Sequence, residues 1–185
     1  MSHSVDKRRM TGKGMQPPTG VASLAESGFT LIEMMVTIAV LAILLMIAVP
    51  SFQEATLGSK LGSYANNLVA GAHLARSEAI KRNQVVTLCV SSNGTSCGTG
   101  DWGQGWIVRT TSGTVVQHQQ ALPAGFKVKQ MAGLPSLGFR SSGVGSDTAT
   151  FTVCRATPLG GQERVVSISA TGRPSVAKTT TGSCS

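Results

Sequence analysis

Two overlapping glycine-rich strings near the middle of the chain have the spacing of reaction sites. Gly94-Thr95-Ser96-Cys97-Gly98 fits G-x-S-x-G, a turn that displays a nucleophilic serine, and Gly98-Thr99-Gly100-Asp101-Trp102-Gly103 fits G-x-G-x-x-G, a turn that cradles a pyrophosphate. Both chemistries need a helix directly after the turn, to expose the serine or to aim backbone N–H groups at phosphate. The next residues, Gln104-Gly105-Trp106-Ile107-Val108, lead through a glycine into a strand-like run instead. No acidic residue stands about 20 positions on to hold a ribose, and His118 is the one histidine downstream of Ser96. Neither an enzyme nor a cofactor is expected from these strings.

The cysteines offer a simpler account of the same loop. Cys89, Cys97, Cys154 and Cys184 are even in number and all lie beyond the long apolar segment of the chain. In an oxidising compartment such a set reads as disulfides, with three connectivities open. The expected pairing joins Cys89 to Cys97, closing the glycine-rich loop, and Cys154 to Cys184, tying the tail to a strand, each contributing about 2–4 kcal/mol. The spacings hold no Cys-x-x-Cys pair, so no metal site is expected.

A further chemical group is Glu33, set inside residues 28–50, GFTLIEMMVTIAVLAILLMIAVP. As a helix, the 21 residues from Phe29 to Val49 rise about 31 Å, the thickness of a bilayer's hydrocarbon core. A charge in such a segment costs about 2.5–3.5 kcal/mol on insertion scales, so a functional partner for Glu33 is the default expectation. A cleaved secretory signal has a shorter apolar region, about 7–15 residues, and a small-residue cleavage site, which is missing after Val49. Lys7, Arg8, Arg9 and Lys13 outnumber Asp6 and Glu26 ahead of the segment, which places residues 1–27 in the cytoplasm and exports the chain after Pro50.

Gly28-Phe29-Thr30-Leu31-Ile32-Glu33, the apolar run behind it and Pro50 resemble the N-terminus of type IV pilins and of the pseudopilins of type II secretion. The resemblance implies that a prepilin peptidase cuts between Gly28 and Phe29, that Phe29 is N-methylated, and that the apolar helix is retained. It also implies a role in subunit assembly for Glu33 and Pro50, with Glu33 pairing with the N-terminal amine of a neighbouring subunit. The segment before Gly28 is longer than many pilin leaders, with Met10 and Met15 as alternative starts. Removing residues 1–28 leaves 157 of the 185 residues, with 12 basic and 6 acidic side chains and a formal charge of +6. A basic exported domain suggests acidic partners, although a Gly/Ser/Thr-rich domain of few charges reaches such a balance without one.

The elements that must position these groups can be read from periodicity. Leu57, Leu61, Tyr64, Leu68, Ala72, Ala75 and Ala79 recur at helical steps, with Lys60, Ser63, Asn66, Asn67, Arg76 and Lys81 between them. The pattern predicts a helix over about 30–82, kinked or loosened near Pro50 and Gly58 or Gly62. Strands are predicted at 85–90, 106–111, 114–119, 126–130, 149–155 and 164–170, with Ser112-Gly113 as a hairpin turn. The expected fold is α+β and type IV pilin-like: a long N-terminal helix, transmembrane in its first half, packed by its second half on an antiparallel β-sheet head. The expected divisions are a removed leader over 1–28, a transmembrane and filament-core helix over 29–50, an amphipathic helix over 51–82 and a β-rich periplasmic head over 83–185.

Residues 75–90, ARSEAIKRNQVVTLCV, with Gly105-Trp106 and Thr171-Gly172-Arg173-Pro174, are similar to the branch of minor pilins and pseudopilins called the GspH/FimT family. Ala75, Ala79 and Ile80 are expected to pack on the sheet, with Arg76, Glu78 and Lys81 outside and Glu78 meeting Arg82 at four-residue spacing. The resemblance implies a minor pilin, a low-copy subunit held in the bacterial inner membrane that helps to start pilus assembly with major and minor pilins. It leaves open a type II secretion pseudopilin and a DNA-binding pilin-like receptor. DNA-binding members carry a C-terminal Gly-Arg-x-Arg, whereas Gly172-Arg173-Pro174-Ser175 keeps only Arg173. Lys178, Arg155 and Arg164 would then supply the rest of a phosphate-directed, salt-dependent contact.

Two substitutions test the N-terminal expectations. Gly28→Ala is expected to leave the uncut precursor, seen as the intact mass of the membrane protein. Glu33→Ala is expected to insert and be processed yet fail to join filaments, and its recovery there at the wild-type level would remove the pairing role.

Overall fold

The structure, a computed structural model, describes residues 28–156 and 161–181. One helix, α1 (Leu31–Arg82), precedes eight strands: β1 (Val86–Val90), β2 (Trp106–Thr110), β3 (Val115–Gln119), β4 (Phe126–Gln130), β5 (Ser136–Phe139), β6 (Ala149–Arg155), β7 (Glu163–Ile168) and β8 (Pro174–Thr179). A single 3-10 turn, Trp102–Gln104, precedes β2. By its contacts the chain divides into two units, Met1–Ile43 and Leu44–Ser185.

In the first unit, the start of α1 exposes its large apolar side chains, among them Leu31, Ile32, Met34 and Ile38. The helix is long and apolar enough to cross a membrane, and none of its most apolar stretch is buried. In the second unit α1 runs unbroken past Pro50, Gly58 and Gly62, although the proline removes one backbone donor. The helix stops at Asn83, whose φ of 51° is left-handed. There Asn83 N–H donates to the Ile80 carbonyl and Gln84 N–H to the Ala79 carbonyl, a Schellman closure that satisfies carbonyls left over at the helix end.

The strands form two four-stranded antiparallel sheets, ordered β3-β2-β1-β5 and β4-β6-β7-β8. The β2–β3 hairpin turns where expected, with Gly113 at φ 94° and its N–H donating to the Thr110 carbonyl. Two strands, β5 and β8, lie outside the sequence expectations. Ser136–Phe139 is four residues long, contains Gly138 and comes after Pro135, so its strand signal is short and interrupted. Pro174–Thr179 lies at a sheet edge, opens on a proline that needs no ladder donor there, and leaves most of its side chains exposed.

The core lies between α1 and both sheets. Leu57, Leu61, Ala65, Leu68, Ala72, Ala75 and Ala79 meet Val86, Leu88, Val90, Trp106, Val108 and Phe139 of one sheet and Val128, Phe151, Val153 and Val166 of the other. Ala65 replaces the expected Tyr64 in this stripe; Tyr64 stands half-buried at its margin, edge-on to Phe126. Trp102 closes one end, edge-on to Phe151 at 4.8 Å, with its indole N–H donating to the Leu134 carbonyl at 2.9 Å.

The last helical turns correct two expectations. Ile80 is 51% exposed rather than packed on the sheet, and Glu78 is buried rather than outside. Glu78 continues the Gly71–Ala75 row of buried positions, which meets the sheet at Trp106, whereas Ile80 lies a third of a turn past Ala79, over the Gly143 loop. Burial of Glu78 is met by Arg82, whose Nε donates to its carboxylate at 2.5 Å, and by Lys81 at 3.6 Å. The Arg82 hydrogen bond holds the Glu78 carboxyl below its ordinary pKa against the opposing effect of desolvation.

Two glycines of α1 have opposite consequences. A Cβ at Gly71 would enter the Trp106 ring, while nothing stands within 4 Å of one at Gly62. Gly71→Ala is expected to destabilise the protein by about 1–3 kcal/mol through overpacking. Gly62→Ala is expected to stabilise it by about 0.4–1 kcal/mol by restricting the unfolded chain. Denaturant titration of the detergent-solubilised chain, followed by tryptophan fluorescence, checks both signs.

Candidate assembly and binding sites

At the N-terminal end of α1, Thr30 caps the helix. Its hydroxyl accepts from the Glu33 N–H at 3.2 Å and its carbonyl accepts from the Met34 N–H at 3.2 Å. Thr30-x-x-Glu33 thus has the spacing of a capping box, with a carboxylate in the first turn, where the helix dipole favours negative charge. That spacing is a signal the sequence reading missed, and it gives Glu33 a local place at the helix start beside the assembly role expected of it. Phe29, immediately ahead, is exposed. If cleavage occurs after Gly28, its new amine would stand at the same positive helix end and compete with the dipole for the Glu33 charge.

The glycine-rich loop is held by Cys89–Cys97, which is disulfide-bonded with Cα atoms 5.5 Å apart. Gly98 N–H returns to the Val90 carbonyl at 2.8 Å, and the Asn93 carboxamide oxygen accepts from the Thr95 and Ser96 N–H groups, both at 3.0 Å. Ser96 receives the Asn93 amide and, among the described residues, makes no hydrogen bond to a histidine; His118 instead packs on Gly94, where a Cβ would lie 2.7 Å from its ring. Among the described residues neither glycine string opens a long helix: the three-residue turn Trp102–Gln104 overlaps the end of the second string, and β2 follows it. The loop covers the outer face of its sheet, which is why Cys89 and Ile107 are buried although they alternate with core residues. The Cys184 end of the second expected pairing lies outside the described residues, so the Cys154–Cys184 bond remains an expectation. Among the described residues no three His, Cys, Asp or Glu side chains gather as metal ligands.

The four basic residues named for DNA occupy three different settings. Arg164 lies opposite Lys178 in the β7–β8 ladder, but its guanidinium donates to the Gly58 carbonyl at 3.0 Å and to the Glu163 carbonyl at 2.9 Å. Gln162 does the same one helical turn earlier, donating to the Glu54 carbonyl at 3.1 Å and to its carboxylate at 2.5 Å. Gly58 permits this approach, since a Cβ there would lie 2.7 Å from the Gln162 amide oxygen. Arg173 lies in the opposite turn of the hairpin, beside Gly172, five positions along the strand from Lys178, or about 17 Å. Arg155, at the end of β6, faces a cleft beside α1. The fold therefore brings Arg164 and Lys178 together and keeps Arg173 apart.

One long helix laid by its second half on antiparallel sheets, behind a Gly-Phe-x-x-x-Glu motif and an apolar run, defines a type IV pilin-like protein. Residues 64–172 match the family model described as type II transport protein GspH, and residues 24–49 match the prokaryotic N-terminal methylation motif. The chain belongs to the GspH family of minor pilins and pseudopilins. Among solved structures it is similar to the type IV minor pilin FimU of Pseudomonas aeruginosa, with a TM-score of 0.52 and 26% identity over 64% of this chain and 89% of that one. The minor pseudopilin EpsH of the Vibrio cholerae type 2 secretion system matches with a TM-score of 0.47 and 15% identity over 63% of this chain and 95% of that one. No curated protein matches the sequence. Membership of a pilin family implies assembly with other pilins in a filament.

The contacts separate structural from free arginines. Arg164→Ala is expected to lower stability by about 1–2 kcal/mol by removing a charged donor from the helix backbone. Arg173→Ala, in an exposed turn, is expected to stay within about 0.5 kcal/mol of wild type. Chemical denaturation of the two variants side by side checks the difference.

Proposed function

We propose that the chain is a minor type IV pilin, a low-abundance subunit that helps to initiate pilus assembly. The observation that carries this reading is the likeness to a minor pilin over 89% of that protein's solved chain at 26% identity. The methylation motif and the exposed apolar start of α1 support the rest of the cycle. In this proposal the precursor sits in the inner membrane with residues 1–28 in the cytoplasm and the head in the periplasm. A prepilin peptidase then cuts after Gly28, Phe29 is methylated, and Glu33 recruits the amine of a neighbouring subunit as the helix leaves lipid for the filament. Pro50 and the four cysteines keep the roles assigned from the sequence, as assembly residue and disulfides.

The description of the matching family favours a second reading, a minor pseudopilin of type II secretion. The two readings share every contact described above and differ in the machine they serve. DNA uptake is not favoured by the placement of Arg173 away from Lys178 and by the engagement of Arg164 with α1.

A deletion strain separates the readings. The proposal expects loss of surface pili and of twitching, restored by the wild-type gene, with exoprotein secretion unchanged. Lost secretion with normal piliation would select the pseudopilin, and lost transformation with both intact would select DNA uptake.

A further inference from the structure

Residues 52–60 of α1 and the start of β4 enclose a cleft of about 400 Å³, within the range of ligand-sized sites. Phe52, Leu57 and Phe126 form its apolar wall, and Thr56, Lys60 and Arg155 its polar wall. Phe52 is 73% exposed, although the buried stripe of the helix begins only five residues later at Leu57. Phe126 is braced edge-on by Tyr64, with ring centroids 5.1 Å apart, so the floor is fixed rather than free to fill the space. Among the described residues, neither Lys60 nor Arg155 makes a side-chain hydrogen bond or ion pair. Glu54, the acidic residue nearest Lys60 in sequence, is engaged by Gln162.

Two unengaged cations beside two aromatic faces favour one kind of occupant. A carboxylate would take charge-assisted hydrogen bonds from Arg155 and Lys60, while an apolar side chain next to it would remove the Phe52 and Phe126 rings from water. We infer that this cleft is the docking socket for an acidic segment of a different pilin-class subunit, a carboxylate flanked by an aliphatic or aromatic side chain. A second copy of this chain is a poor donor of such a plug. It has 8 acidic against 16 basic residues. In its head Glu78 and Glu163 are buried, Glu54 and Asp101 already accept hydrogen bonds, and Asp147 lies between Ser146 and Thr148. The inference rests on the chain being a filament subunit and not on whether the filament is a pilus or a pseudopilus.

The test uses the full-length chain in detergent and the other pilin-class subunits of the same cell purified likewise, with binding read by thermophoresis. One acidic subunit is expected to bind, more weakly at high salt. The double variant Lys60→Glu with Arg155→Glu should weaken it at least about tenfold, and Phe52→Ala should weaken it too. Thermal midpoints should hold, because neither cation has an internal partner. Reversing the partner's carboxylate to lysine should restore binding to the double variant. The idea is overturned if no subunit binds, if the variants bind as wild type does, or if the wild-type chain associates with itself through the same residues. It is equally overturned if the double variant loses only its binding to phosphatidylglycerol vesicles, which would make the cleft a lipid site. The readout uses purified subunits, so a chain absent from cellular filaments would sink the filament reading and leave this result standing.

Discussion

The head depends on how closely α1 can approach the sheets. Ala65, Ala72, Ala75 and Ala79 are fully buried, and Gly71 leaves room for the Trp106 ring against the helix backbone. Small residues on the helix let large ones come from the strands, so Phe139, Phe151, Leu88 and Val108 fill the space that leucines on α1 would otherwise occupy. The same closeness recurs at Gly58, where Gln162 and Arg164 reach main-chain carbonyls of the helix. Helix and head are thus held by contacts that tolerate little change in spacing.

The first half of α1 faces the opposite problem. Its apolar side chains are exposed on every side, an arrangement that water does not tolerate and that lipid or a bundle of like helices does. Assembly with other pilins supplies such a bundle. The carboxylate of Glu33 is the one charge from Phe29 to Val49, and it sits in the first turn, where unsatisfied backbone N–H groups and the helix dipole favour a negative charge. The motif therefore combines a surface that must be covered with a single charge at its start.

Much of this was legible because it rests on local chemistry. The apolar run, the helical stripe from Leu57 to Ala79 and the Cys89–Cys97 closure appear in the sequence as length, period and spacing, and each has its counterpart in the structure. β5 and β8 did not, because Ser136–Phe139 carries a glycine and Pro174–Thr179 is an exposed edge, so neither alternates clearly. Ile80 and Glu78 were exchanged because hydrophobicity alone ranks isoleucine inside, whereas the position on the helix and the reach of Arg82 decide otherwise. The basic residues were hardest: charge is visible in sequence, but whether Arg164 is free or bonded to α1 depends on a contact 106 residues away.

The central claim is that this chain keeps its apolar helix and enters a filament through it. Mass spectrometry of purified sheared filaments tests it most directly. The account predicts peptides of this chain at low abundance, with an N-terminal peptide that begins at N-methylated Phe29. Filaments that lack the chain, or that contain it without residues 29–50, would contradict the account.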